Sequence, residues 1–185
     1  MSSPRAAPGR SRLRKTLGSV DAPHIVSLMR LIDTQSKATI AEWCLDYSET
    51  EILPVFERRR PRDDRPRRAL QASRDWFEGK KKLVEVKSVI LRECHAAARE
   101  LDRDPAAQAA ARACGQAAAC FHTPTHSLGL AFYGAAAVAY DRIGLDGTAE
   151  TYDAIAAEEC AKLEAALRAV AIPDEPNPAT LNWNC

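Results

Sequence analysis

From Ala113 to Tyr140 the chain runs without a formal charge, its longest such stretch, and so apolar a run belongs either in a bilayer or at the centre of a fold. Gln116, His122, Thr123, Pro124, Thr125, His126 and Ser127 lie inside it and divide it into two apolar pieces. Each is shorter than the roughly 20 residues a membrane span requires, so both read as buried core helices. Nothing in the rest of the sequence reads as a strand. The expected fold is all-α: a single-domain helical bundle of about six to seven helices.

Punctuation marks the helices out. Ile25, Val26, Leu28, Met29 and Ile32 recur at helical spacing in a short lead-in helix, and Ser36 is placed to cap a longer one. Ile40, Trp43, Cys44, Tyr47, Glu51 and Val55 fall close to one face of that second helix, and Pro54 is expected to kink or end it. Asp63 or Asp64 can cap the next helix, with Pro66 in its first turn and Gly79 as its stop. A sustained repeat follows over Lys80 to Leu101. Asp104-Pro105 then opens an alanine-dominated segment, Ala106 to Phe121, whose small side chains allow close approach and point to the centre of the bundle. Thr123-Pro124 and Gly147-Thr148 open the last two helices.

The 185 residues suit one domain, and 26 basic against 25 acidic side chains leave no overall field to steer a nucleic acid or an anionic membrane. The expected layout is a disordered basic arm over 1–21, a helical domain over 22–172 and an extended tail over 173–185. The arm's Arg- and Ser-rich, acid-free composition also matches an organellar transit peptide. Cys44, Cys94, Cys114, Cys120 and Cys160 sit within helical patterns without C-x-x-C spacing. They read as free thiols suited to a reducing cytoplasm.

Three of the four histidines, His95, His122 and His126, fall in the alanine-rich centre. His122 and His126, four apart, would share a face on a continuous helix, although Pro124 lies between them. Three imidazoles with Asp46 or Glu93 would suit zinc or iron, or acid–base work. Structural hydrogen bonding is the competing role for core histidines. Cys94 beside His95 and Cys120 near His122 suggest a thiolate, but helix neighbours point about 100° apart, which favours inert buried thiols. Arg58, Arg59, Arg60, Arg62, Arg65, Arg67 and Arg68 can grip phosphate or an acidic surface, or pair locally with Asp63 and Asp64. P-loop, dinucleotide and nucleophile-elbow motifs are missing from the sequence.

Asp64-Arg65-Pro66-Arg67 with Ala69, Trp76 and Gly79, then His95-Ala96-Ala97-Ala98-Arg99, then His122, His126, Leu128-Gly129 and Tyr133 carry a resemblance in their order and separation. Over Ile40 to Ala171 the chain resembles the immunity-five-like family, small all-helical bacterial proteins associated with polymorphic toxin systems. The resemblance implies a protein that binds and neutralises a cognate toxin, with Asp64, Arg65, Arg67 and Arg99 as binding or helix-locking residues and no cofactor. The alternative is a small-molecule enzyme, metal-assisted or not, with a pocket lined by His95, His122, His126, Asp46 and Tyr133. Nucleic-acid binding through the arm and the arginine connector ranks below both.

Overall fold

Capping residues and prolines set most helix starts where the sequence places them. The structure, a computed structural model, describes residues 13–183, and among them it contains seven helices and no strand. They are α1 (Pro23–Ile32), α2 (37–59), α3 (Arg65–Phe77), α4 (83–99), α5 (Pro105–Ala119), α6 (His126–Ile143) and α7 (Ala149–Val170). The Ser36 hydroxyl accepts from Thr39 N at 3.2 Å, Asp104 Oδ1 from Ala107 N at 3.2 Å and Thr148 Oγ1 from Thr151 N at 3.3 Å. Each satisfies a backbone donor that a helix start leaves without a partner. At the start of α3 it is Asp63, not Asp64, whose carboxylate accepts Arg65 N, at 3.2 Å.

Two helices carry turns that the apolar pattern does not disclose. Helix α2 is regular over Lys37–Tyr47, widens into a π-helical turn at Ser48–Ile52 and resumes over Leu53–Arg59. Pro54 therefore does not end the helix. Its missing N–H and the bulk of its ring fall just after the widened turn, where the i−4 ladder has already changed register. Helix α4 has the same interruption at Ile90–Cys94, between Leu83–Val89 and His95–Arg99.

Helix α5 is central, packed against α2, α3, α4 and α6. A methyl group buries little area by itself, but alanines let the neighbouring backbones approach and gain dispersion contacts along the whole helix. Larger side chains such as Phe56, Leu70, Ile90 and Leu130 fill the surrounding layer. Helix α7 covers α6 and also packs against α1 and α2. No described helix is long and apolar enough to cross a membrane.

Both ends of the described chain are tied down. The part of the expected arm over 1–12 lies outside the described residues; over 13–21 every residue but Leu17 is exposed, and the segment is anchored at Arg14 and Leu17. Leu17 is only 1% exposed, its N–H donates to Phe132 O at 3.2 Å, the Tyr140 hydroxyl donates to Arg14 O, and Arg14 pairs with Asp153 at 2.9 Å. One buried leucine supplies about 1.5–3 kcal/mol, which the arm's overall composition conceals. The tail is non-helical, as expected, but strapped to the α1–α2 turn. The Gln35 side chain, 2% exposed, accepts from Ile172 N at 2.8 Å and donates to Ile172 O at 3.3 Å, while Gln35 O accepts from Ala179 N at 2.8 Å. Trp183 Nε1 donates to Asp33 at 2.9 Å.

Candidate functional site

The π-helical turn of α4 ends immediately before His95. One inserted residue rotates all that follows by about 100° around the axis, so this turn sets the face on which His95 and Arg99 lie. The His95 imidazole rests on α5 at Gly115, where a Cβ would stand 2.7 Å from its Cε1 and 3.1 Å from its Nδ1. One residue on, the Gln116 side chain rests on α6 at Gly129, where a Cβ would stand 2.5 Å from its Oε1. Two glycines thus make room for two polar side chains, and three helices interlock.

His126, the first residue of α6, meets the same Gln116 oxygen through Nδ1. With that carbonyl accepting, Nδ1 carries the proton and Nε2 is left as an acceptor. Pro124 breaks the continuous helix on which His122 and His126 would have shared a face, and His122 lies in the turn before α6. Its Nδ1 is 2.8 Å from Thr123 Oγ1, and its ring lies 4.8 Å from that of Phe121 and 6.3 Å from that of His126. Trp76 closes the aromatic side of the cluster, 4.6 Å from Phe121.

Burial holds the His95 imidazole below its ordinary pKa, and Arg99, His126 and Arg112 push it further down. His122 is lowered by burial first, then by Lys87 and His126, and His126 by burial. These side chains therefore favour the neutral form near pH 7. Among the described residues no group of three or more His, Cys, Asp and Glu side chains is arranged to hold a metal ion.

The other sequence-derived candidates divide. Tyr133 comes close to the cluster, with the Arg112 guanidinium 5.8 Å from its ring centre. Asp46 does not: it pairs with Arg74 at 2.6 Å and lines a separate groove of about 480 Å³ with Trp43, Tyr47, Lys162 and Val170. Arg65 grips two carboxylates bidentately, Asp63 at 2.7 and 2.9 Å and Glu100 at 2.7 and 3.1 Å. Arg67 holds Glu57 at 2.7 and 2.8 Å, and Asp64 lies 3.4 Å from Arg68, which also reaches Glu93 at 2.7 Å. Much of the connector thus staples helices to one another. Arg99 is exposed and has no ion-pair partner among the described residues.

The five described cysteines are free and buried. Burial pushes the Cys94 thiol up to about 12 and also raises Cys44 and Cys114, which removes the thiolate character a nucleophile needs. Sequence reading passed over Arg112. The signal was there: Gln108, Arg112 and Gln116, spaced by four, form the one polar stripe on an otherwise alanine-rich helix.

No curated protein and no solved structure matches the chain. Residues 30–166 match the family described as Imm-5 like putative immunity protein. That match contains all of the motif residues from Asp64 to Tyr133, and it takes in every helix that builds the interlock around Gly115 and Gly129. Spanning well over half of the chain, it makes this protein a member of the Imm-5-like immunity family.

Proposed function

We propose that this protein neutralises a cognate toxin by binding it directly through an exposed helical face. Family membership carries the reading. The arrangement of the family-like motifs supports it: Arg65 and Arg67 are consumed in contacts with Glu100 and Glu57 that tie α3 to neighbouring elements, and Asp64 pairs with Arg68 within the first turn of α3. Motif residues used this way hold a surface in shape before a partner arrives, which limits the ordering cost of association.

The test is co-expression with a candidate cognate toxin domain. The expected outcome is restored growth and a complex that survives purification. Growth arrest that continues despite abundant folded protein would contradict the reading.

A further inference from the structure

Among the described residues, most arginines are occupied. Arg59 and Arg60 reach Asp104 at 2.7 and 3.0 Å, Arg74 reaches Asp46 and Glu49 at 2.6 and 2.7 Å, and Arg142 reaches Glu158 and Glu159 at 3.1 and 2.9 Å. Around His95 the pattern reverses. Arg99 from the same helix, Arg112 from α5 and His126 from α6 are the charged and titratable groups acting on its imidazole, and no carboxylate is among them. Neither Arg99 nor Arg112 has an ion-pair partner among the described residues, and Arg112 is steadied over the Tyr133 ring. Gly115 and Gly129 bring the three helices close enough to gather these groups on one face.

Like charges drawn together repel one another; Glu100 beside Arg99 offsets only part of that charge, its carboxylate being already held by Arg65, and an anion from outside completes the arrangement. The planar guanidinium forks suit a carboxylate, and each imidazole adds an N–H donor once it is protonated. We infer that the face formed by His95, Arg99, Arg112 and His126 is the docking site for acidic side chains, Asp or Glu, of a protein partner. The inference rests on the toxin-binding reading for the partner's identity, while the site's chemistry stands on the four residues.

Carboxylate binding is coupled to proton uptake. A bound anion favours the imidazolium form of His95 and His126, so affinity rises as pH falls. The groups facing His95 are Arg99, Arg112 and His126, and those facing His122 are Lys87 and His126. All are cationic or become so, and none opposes the trend.

The experiment follows the histidine carbon-bound proton signals by NMR while the full-length protein is titrated with a capped hexaglutamate peptide and, separately, with inorganic phosphate. The variants are Arg99→Gln with Arg112→Gln together and, as a control of like charge change, Arg62→Gln. The replaced arginines make no ion pair that holds the fold, so thermal melts should match wild type. The expected result is saturable movement of the His95 and His126 signals, tightening several-fold from pH 7.5 to pH 6. The arginine pair should weaken it about tenfold, and Arg62→Gln should leave it unchanged.

Equal peptide binding by wild type and the arginine pair overturns the site. Phosphate that binds the same signals as tightly as the peptide overturns its assignment to protein carboxylates. The toxin co-expression assay separates the two readings. An arginine-pair variant that still protects cells removes this face from neutralisation and leaves the proposed function standing. A wild type that binds the peptide but gives no protection does the reverse.

Discussion

Gly115 sets two effects of opposite sign against each other. Replacing a mid-helix glycine by alanine ordinarily stabilises by about 0.5–1 kcal/mol, but here the new methyl would stand 2.7 Å from the His95 ring, and forced overpacking costs about 1–3 kcal/mol. Gly115→Ala should therefore destabilise wild type, yet stabilise a His95→Ala background where the ring is gone. Denaturant melts of the four proteins in that cycle measure the coupling, and additivity would mean that the ring does not sit against Gly115. At this scale the sequence disclosed the residues more readily than their arrangement. Three central histidines stood out by type, Gly129 entered only through the family-like motif, and Pro124 gave warning that His122 and His126 would part. The contact between His95 and Gly115 joins positions on different helices, which no local pattern encodes.

Helix starts were legible because caps are local: Ser36, Asp104 and Thr148 each bond a backbone N–H three residues on. The π-helical turns were not. Neither carries a local marker such as a cap or a glycine, and such a turn is selected by what the helix packs against as much as by its own residues. Asp104 joins several elements, since it caps α5 and pairs with Arg59 and Arg60 at the end of α2. Asp104→Ala should cost about 2–3 kcal/mol through the lost cap and the stranded arginines, lowering Tm by roughly 4–12 °C. Asp104→Asn, which keeps the cap, should lose less. Gln35→Ala removes the amide that holds the tail at Ile172. It should expose the chain after Ala171 to proteolysis while the helices keep their protection from hydrogen exchange. A tail as resistant as wild type would show that Trp183 and Ala179 hold it unaided.

For the molecule as a whole, apolar residues at helical spacing between caps, prolines and glycines anticipated an all-α bundle, and the seven described helices agree. What composition hid was how the ends are tied in, because Leu17 and Gln35 act singly against a polar background. The lowered histidines bear on global stability. Their folded pKa values lie beneath the unfolded value of about 6.5, so the unfolded chain binds protons more readily. Stability should then fall as pH drops from about 6.5 toward the folded values, by up to about 1.4 kcal/mol per pH unit for each histidine. His95→Gln with His126→Gln should flatten the unfolding free energy against pH in that window, and an unchanged slope would place the dependence elsewhere. The measurement that reaches the central claim is a titration of toxin activity with purified protein at fixed toxin concentration. Neutralisation by contact predicts loss of activity in proportion to added protein, complete near equimolar ratio and accompanied by a complex of both chains. Complete inactivation at a small fraction of one equivalent, with no complex formed, would contradict it and mark the protein as a catalyst.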